Sequence, residues 1–444
     1  MDSIWTQNTK IAHRNSLNGD IKTDVLVIGG GMAGLLTAYM LTRSGVDCAV
    51  AEARRICGGV TADTTAKITV QHGLIYSELI KRFGVEKAKM YLEANRAALK
   101  KYREMCVTVD CDFEQKNAYT YSTDDRRALE DEAAALDRLG CAVSLVDSVP
   151  LPVKTVGAVK VPGQAQFDPL KFAAAVAKRV KIYENTTVRE LIGTTAVTDR
   201  GKISAKTIVV ATHFPFINKH GSYFLKMYQH RSYVLALKNA AQVDGMYVDE
   251  SKKGLSFRNY GDLLLVGGGS HRTGKQGGGW RELAEFASRA YPLSNEVARW
   301  ATQDCMTLDG IPYIGRYSRN TPNIYVATGF NKWGMTSSMA AAMILRDIIL
   351  GKRNEYAPVF SPSRTILRPQ LAVNAVAAVG NLLTPTAPRC PHMGCALKRN
   401  RQEHTWDCPC HGSRFTYDGQ LIDNPSTGDS KSIKRKNAAD RLDK

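Results

Sequence analysis

The chain has 444 residues, enough for two to four domains, and its 44% hydrophobic and 23% charged residues are ordinary for a folded globular protein. Lysine and arginine outnumber aspartate and glutamate by 60 to 42, which gives a net charge of +18. The basic residues are spread along the chain and accompany no nucleic-acid-binding motif, so we expect no nucleic-acid partner and a mostly solvated basic surface.

Targeting and membrane signals are weak. Residues 1–20 are polar and have no apolar core of the kind that a secretory signal requires. The most apolar stretch, residues 371–383, is too short to span a bilayer and contains two asparagines, and so we expect no transmembrane segment. We predict a cytoplasmic location, with peripheral membrane association as the alternative.

The first predicted elements are a strand, a glycine-rich turn and a helix. The continuous apolar run 25–28 indicates a buried parallel strand, and Gly29-x-Gly31-x-x-Gly34 follows at once and opens a helix that includes Met32 and Ala33. A second strand ends at Glu52, 18 residues after the last glycine. This context turns a weak glycine pattern into a full dinucleotide-binding fingerprint.

Each fingerprint residue has a predicted physical role. Gly29 makes the tight turn, Gly31 lets the backbone approach the pyrophosphate, and Gly34 allows close packing of helix on strand. The helix N-terminus stabilises the phosphates, and Glu52 accepts hydrogen bonds from the ribose hydroxyls. The fingerprint alone suits FAD or NAD.

Further segments decide between the two cofactors. They are the Gly-Gly-Val-Thr and Asp-Thr-Thr-Ala-Lys run in 58–67, a strand ending in Ala211-Thr212-His213, Asp-Gly-Ile-Pro at 309–312, and Gly-Phe-Asn-Lys-Trp-Gly-Met-Thr at 329–336 before an alanine-rich helix. Together they resemble the FAD-dependent oxidoreductases of the D-amino-acid oxidase, glycine oxidase and sarcosine oxidase group, over about residues 21–350. His213 stands where that group has glycine.

The resemblance implies FAD, with the flavin ring near residues 58–67 and 333–337 and the positive end of the last helix facing the flavin. It also implies a backbone contact of Val188 with adenine. The cofactor-binding residues predicted in this way are Gly29, Gly31, Met32, Ala33, Gly34, Glu52, Thr61, Thr65, Val188, Ala211, Thr212, Gly334, Met335 and Thr336.

The segments between these motifs predict a substrate domain, with helices over 76–105 and 125–140 and strands over 223–237 and 244–268. No catalytic triad or paired-carboxylate site can be argued from spacing. Hydride abstraction from an amine needs a neutral amine in an apolar pocket more than it needs an acid or base. The predicted catalytic residues are Lys67, Arg231 and Trp333, and His72, His213, Tyr233 and Arg258 are further pocket candidates; either arginine could clamp a carboxylate.

The last motif contains Cys390-x-His392 and, after fifteen intervening residues, Cys408-x-x-His411. Read as ligands, these four residues have the spacing of a Rieske [2Fe–2S] centre, in which two thiolates hold one iron and two imidazoles hold the other. A Cys2His2 zinc site could use the same residues. The second pair of cysteines at fixed steps from the ligands favours the cluster.

Residues 385–430 resemble the cluster-binding part of respiratory Rieske proteins, including the Cys-Pro-Cys-His-Gly-Ser box and Phe415. The resemblance implies that Cys390, His392, Cys408 and His411 are the ligands and that Cys395 and Cys410 form a disulfide between the two ligand loops. Rieske domains carry several strands before the first box, and this segment is short there. We therefore expect a cluster-binding tip that packs on the rest of the protein.

The predicted fold class is α/β: a two-dinucleotide-binding-fold (Rossmann-like) FAD domain, an interleaved α+β substrate domain and a small β-rich Rieske domain. The predicted boundaries are 21–350 for the oxidoreductase, 351–384 for a linker, 385–430 for the Rieske domain and 431–444 for a basic tail. The FAD-binding parts are 21–75, 150–220 and 300–350, and the substrate domain takes 76–149 and 221–299.

These parts predict an enzyme that oxidises a small amine or amino acid at FAD and passes single electrons through the cluster to an unknown protein or quinone. Two alternatives remain open. Electrons could enter at the cluster and reduce a substrate at FAD, or the Rieske segment could be a redox-sensing or docking module without turnover.

Overall fold

The computed structural model of the protein describes residues 2–217, 220–250, 254–365, 369–384 and 388–434. The described residues form helices α1 (Ile4–Asn8), α2 (Met32–Arg43), α3 (Ile75–Phe83), α4 (Val85–Cys106), α5 (Arg126–Arg138), α6 (Pro169–Ala177), α7 (Tyr223–Lys226), α8 (Gly279–Ala290), α9 (Gly334–Ile349), α10 (Ala357–Phe360) and α11 (Pro369–Leu382). None of these helices is both long and apolar enough to cross a membrane.

The strands of the described residues are β1 (Ile21–Ile28), β2 (Cys48–Ala51), β3 (Lys67–Ile68), β4 (Glu114–Ser122), β5 (Ser144–Val146), β6 (Gly157–Gln166), β7 (Lys181–Tyr183), β8 (Val188–Ile192), β9 (Thr195–Thr198), β10 (Gly201–Val210), β11 (Met227–Lys238), β12 (Met246–Asp249), β13 (Ser256–Tyr260), β14 (Leu263–Arg272), β15 (Asn295–Thr307), β16 (Tyr313–Arg316), β17 (Ile324–Thr328), β18 (Lys398–Asn400), β19 (Thr405–Asp407), β20 (Arg414–Phe415) and β21 (Leu421–Asp423).

The first sheet is the predicted dinucleotide-binding sheet. Its order is β16-β17-β10-β1-β2-β7, with β9 and β8 added beside β10, and β1, β2, β7, β10 and β17 run parallel. The last four residues of β1 are all buried, as expected of a parallel strand that is covered on both faces. Helix α2 packs against α9 and also contacts β1 and β2, so the two predicted cofactor-binding helices lie side by side.

The second sheet is the predicted substrate sheet. It has the order β15-β11-β14-β13-β12-β4-β6-β3, and β5 pairs with β6. The predicted helices over 76–105 and 125–140 are confirmed as α3, α4 and α5. Strand β6 lies in the segment 150–220 that was predicted to bind FAD, but its antiparallel pairing with β4 places it in the second sheet instead.

The C-terminal part is β-rich, as predicted. Four short antiparallel strands, β18 to β21, form a third sheet around a small core that includes Leu397, Trp406 and Phe415. The predicted linker carries α10 and α11. Of the predicted basic tail, residues 435–444 lie outside the described residues.

Candidate functional site

A cavity of about 1290 Å³ is lined by the residues that follow β1, β2 and β10 and by one face of the second sheet. Carboxyl ends of parallel strands are the usual place for a ligand in such a sheet. Most of the predicted cofactor residues line the cavity, namely Gly29, Gly31, Met32, Ala33, Glu52, Thr61, Thr65, Val188, Ala211, Thr212, Gly334 and Met335.

The turn before α2 has the shape that a dinucleotide requires. Gly31 is the N-cap of α2, and the Met32 N–H donates to Thr61 Oγ1 over 3.0 Å. A Cβ added at Gly31 would have only Thr61 Oγ1 within 4 Å, at 3.6 Å, so its side-chain space opens into the cavity. A Cβ at Gly34 would instead strike the backbone oxygen of Gly29. Gly34 therefore serves packing rather than contact with the ligand.

Glu52 and His213 also line the cavity. The Glu52 carboxylate accepts the Gly30 N–H at 2.7 Å and the Arg54 N–H at 2.9 Å, and burial raises the pKa of this carboxyl. His213 has φ 64°, in the left-handed region that favours glycine. Its Nε2 atom is buried without a hydrogen-bond partner among the described residues.

The cavity lining also contains an aromatic pair. Trp333 stacks on His72 with ring centroids 5.0 Å apart, and both rings line the cavity. Thr336, predicted to bind cofactor, instead bonds the His72 ring at 2.9 Å and the Thr69 carbonyl at 3.1 Å. Burial lowers the pKa of His72 to about 3, so this ring is neutral and holds Trp333 in place.

The three predicted cationic residues have different environments. Lys67 lines the cavity, and its Nζ donates to Thr65 Oγ1 over 3.1 Å. Burial, together with the charge of Arg258, lowers the pKa of Lys67 to about 7. Arg258 donates to the carbonyls of Thr65 and Ala66 and does not line the cavity. Arg231 also lies outside the lining, and its guanidinium binds Glu403.

Several ionisable residues of the cavity lining were not predicted. Among them are Glu250, Asp304 and Lys332, which line the same cavity as Lys67 and His72. Burial raises the pKa of Glu250 to about 7 and raises that of Asp304, and it lowers the pKa of Lys332. Lys332 precedes Trp333 in the glycine-rich turn 329–336, so the motif that predicted Trp333 could also have predicted Lys332. No sequence motif near Glu250 or Asp304 indicates a role in the cavity.

The predicted cluster ligands come together in the third sheet's loops. Cys390, Cys408 and His411 are buried, and the rings of His392 and His411 have centroids 4.9 Å apart. Cys395 and Cys410 form a disulfide, and both sulfurs lie within 4.8 Å of the Cys408 sulfur. The Nδ1 atom of His411 is buried and has no hydrogen-bond partner among the described residues, as expected of an atom that binds a metal.

The second ligand loop packs on the second sheet. Gln229 donates to the His411 carbonyl and Gln303 to the Gly412 carbonyl, both over 2.8 Å. Gly412 has φ 84°, and an added Cβ would meet the Gln229 side chain at 2.6 Å. The His411 ring also contacts Phe224, with centroids 6.0 Å apart. The expectation that the tip packs on the rest of the protein is thereby confirmed.

A buried ionic network fixes the third sheet to the second. Glu403 binds Arg231, accepts the Tyr233 hydroxyl at 3.0 Å, and binds Arg414 at 2.6 Å. Arg414 extends the network to Asp407 at 3.2 Å and to Asp423. The side chains of Arg231, Arg414 and Glu403 are 3%, 6% and 9% exposed. These charges are therefore stabilised by one another rather than by water.

Comparisons with known proteins agree with this geometry. The model of the FAD dependent oxidoreductase family matches residues 24–348, and that of the Rieske [2Fe-2S] domain matches residues 363–434. The chain belongs to the FAD-dependent oxidoreductase family. It therefore binds FAD in its oxidoreductase domain and a [2Fe–2S] cluster in its Rieske domain.

One relative matches nearly the whole chain, and others match a smaller part of it. A Rieske 2Fe-2S iron-sulfur protein of Bacillus subtilis, YhfW, is 33% identical and covers 97% of each chain. Gamma-glutamylputrescine oxidoreductase of Escherichia coli is 24% identical over 78% of this chain and 88% of its own. Glycine oxidase from Geobacillus kaustophilus has a similar fold, with a TM-score of 0.64, 21% identity, and coverage of 78% of this chain and 99% of its own.

The residues present fit both groups. The open space at Gly31, beside the N-terminus of α2, suits a pyrophosphate. Two buried thiols and two imidazoles, one with a buried and unbonded Nδ1, match the ligand set of a Rieske cluster. The disulfide takes the other two cysteines of these loops out of the ligand set, which leaves Cys390 and Cys408 as the thiolate ligands.

Proposed function

We propose that this FAD-dependent oxidoreductase oxidises a small amine or amino acid and passes the electrons one at a time through its Rieske cluster to an external acceptor. When bound, FAD accepts a hydride from an organic substrate, and a [2Fe–2S] cluster carries single electrons. One observation supports the coupling of the two groups more than any other: the FAD cavity and the second ligand loop lie on opposite faces of one pair of strands.

The paired strands β11 and β15 form this partition. Successive side chains of a strand point to opposite faces. His230 and its cross-strand partner Asp304 line the cavity, whereas Gln229 and Gln303 donate to the carbonyls of the ligand loop. A single layer of backbone therefore separates the FAD cavity from the residues that hold the cluster.

The charge of the cavity supports an amine-like substrate. Lys67, Lys332, Glu250 and Asp304 place both signs of charge in the lining of one cavity, together with the rings of His72 and Trp333. A zwitterionic amino acid or an amine would pair with charges of both signs that line one cavity. The substrates named in the two relatives, gamma-glutamylputrescine and glycine, are of this chemical class.

Lys67 supplies the proton transfer that amine oxidation requires. Hydride leaves the carbon of a neutral amine, not that of an ammonium ion. With a pKa of about 7, Lys67 Nζ is partly unprotonated near neutral pH and can accept the ammonium proton of the substrate. The stacked pair of His72 and Trp333 provides an apolar wall against which the substrate carbon can lie.

The proposal is tested under anaerobic conditions with optical and electron paramagnetic resonance spectra, recorded before and after addition of amino acids and amines. We expect the flavin absorbance to bleach and a Rieske-type signal to follow. If only an external reductant produces the cluster signal and the flavin is then oxidised by a substrate, electrons flow in the reverse direction. If neither group responds to any substrate of the panel or to a carrier protein, a sensing or docking role replaces the proposal.

A further inference from the structure

The FAD cavity has one wall that the oxidoreductase domain does not supply. The cavity-lining segment, residues 421–429 of the Rieske domain, comprises β21 and the loop after it, and all of its residues except Pro425 line the cavity. Arg54, Val188 and Thr212 of the oxidoreductase domain line the same cavity.

Asn424 joins this segment to the end of β10. Its side-chain Nδ2 donates to the carbonyls of Thr212 and Phe214, over 2.6 Å and 2.7 Å. Both N–H groups of the amide are thus used, and they fix the backbone on either side of His213. Thr212 and His213 themselves line the cavity, so Asn424 sets the position of residues that face the cofactor.

Two arginines hold the rest of the segment. Arg54 Nη2 donates to the Ile422 carbonyl over 2.7 Å, and Arg189 donates to the Thr427 carbonyl. Arg54 lies two residues after Glu52, whose predicted partner is the ribose, and Arg189 follows Val188, whose predicted partner is adenine. The segment therefore covers the adenosine half of the cavity rather than the flavin half.

The same segment is tied to the cluster loop. The Ser426 N–H donates to Ser413 Oγ over 2.9 Å, and Ser413 is buried in the second ligand box. The Ser413 carbonyl in turn accepts the N–H of the ligand Cys408 over 2.8 Å. One residue of the FAD cavity and one cluster ligand are thereby bonded to the same serine.

We propose that the Rieske domain completes the FAD-binding site, with residues 421–429 as the wall over the adenosine half of FAD and Asn424 as its positioning residue. This proposal rests only on FAD binding, which follows from the family. It holds for any substrate and for either direction of electron flow.

The test uses the full chain with Asn424→Ala, and Asp418→Ala as the control on an exposed turn of the same third sheet. FAD is titrated into flavin-free protein by fluorescence quenching, ADP is titrated as the adenosine fragment, and iron content and the cluster signal are measured in parallel. We expect Asn424→Ala to weaken FAD and ADP by the same factor, about tenfold or more, with the iron content unchanged. The control should bind both ligands as the wild type does.

Three results would overturn the proposal. They are FAD affinity within about twofold of wild type in Asn424→Ala, a loss of FAD affinity without a loss of ADP affinity, and an equal loss in the control. Wild-type protein provides a second measurement in case the variant does not fold. FAD and ADP should each slow hydrogen–deuterium exchange across residues 421–429, and unchanged exchange there would exclude this wall.

Discussion

Gly31 and Gly34 belong to one motif but are needed for different reasons. At Gly34 the space for a side chain is filled by the Gly29 carbonyl of the same turn. At Gly31 that space is part of the cavity, with Thr61 Oγ1 as the one atom within 4 Å. We therefore expect the fold to require Gly34 and the cofactor to require Gly31.

We expect Gly31→Val to abolish FAD binding and to leave the fold intact, because an added Cβ meets no protein atom closer than 3.6 Å and the side chain would occupy the pyrophosphate space. Gly31→Ala should weaken FAD binding by a smaller factor. Flavin content by absorbance and secondary structure by circular dichroism measure the two effects separately. Gly34→Val is the matched comparison and should fail to fold; full flavin content in Gly31→Val would contradict the assignment of the fingerprint.

Lys67 gives the cavity a dependence on pH that can be measured. Its pKa of about 7 lies well below the ordinary lysine value because it is buried near Arg258. The unprotonated form, which can take a proton from the substrate, is the major form above pH 7. We therefore expect kcat/KM to rise with pH and to flatten above about pH 7.

Lys67→Met should lower kcat/KM by about a hundredfold near neutral pH, the size expected for loss of a general base. It should also remove the rise of kcat/KM near pH 7, so that the remaining pH dependence comes from titration of the substrate amine. Lys226→Met is the control, since Lys226 is a half-buried lysine outside the cavity lining whose Nζ donates to the Pro362 carbonyl. An unchanged pH profile in Lys67→Met would exclude Lys67 as the base.

At the scale of elements, the contact between β11 and the third sheet depends on a few buried charges. Glu403 has two arginine partners, Arg231 on β11 and Arg414 on β20. Burial raises the pKa of Glu403, but the two arginines outweigh burial and hold that pKa below its ordinary value. The ionised carboxylate is therefore stabilised in the folded protein.

Glu403→Gln should destabilise the docked Rieske domain by about 3 kcal/mol, because it leaves two buried guanidinium groups with too little negative charge. Thermal unfolding followed by loss of the cluster absorbance would show an earlier transition in the variant. Glu285→Gln removes an exposed pair with Arg281, 3.6 Å apart, and should change the free energy of unfolding by less than about 1 kcal/mol.

The effect of Glu403→Gln also has a predicted pH dependence. Because the folded-state pKa of Glu403 is lowered, its contribution is complete above the pKa of an unfolded glutamate and is lost as the pH falls through the folded-state value. The difference in stability between wild type and Glu403→Gln should therefore be constant near neutral pH and shrink in acid. A difference that grows in acid would show that Glu403 is buried in its neutral form.

The sequence predicts those parts of the molecule that depend on local spacing. The Gly29–Gly34 turn between a strand and a helix, and the two Cys-His pairs, each lie within a short stretch of chain, and their geometry follows from that stretch. Arg231 shows where this reasoning fails. Its partner Glu403 is 172 positions away, and an arginine that binds a substrate carboxylate has the same local sequence as one that binds a distant glutamate.

For the whole molecule, the size of the Rieske domain explains why it packs so closely on the oxidoreductase domain. Its core contains few large apolar side chains around the cysteines, and a domain of this size is marginal without additional support. The disulfide, the cluster and the docking contacts with Gln229, Gln303 and Arg231 supply that support. The ligand loop is consequently held beside the cavity instead of on a free arm.

This arrangement separates the role of the cluster from the role of the domain that carries it. The contacts of Glu403 with Arg231 and of Asn424 with Thr212 do not involve the cluster ligands. Cys408→Ser replaces a soft thiolate with a hard hydroxyl and should remove the cluster. We expect FAD to remain bound and an amine substrate still to bleach it, whereas reduction of cytochrome c as a one-electron acceptor should fall at least about tenfold.

Cys141→Ser is the control for Cys408→Ser, since Cys141 is a buried free cysteine outside the cluster and the cavity lining. It should keep flavin, iron and acceptor reduction at wild-type levels. Unchanged acceptor reduction in Cys408→Ser would mean that electrons leave the flavin by another route, and the coupling across β11 and β15 would then have no function. Loss of FAD together with the cluster would instead mean that the ligand loop must be assembled before residues 421–429 can close the cavity.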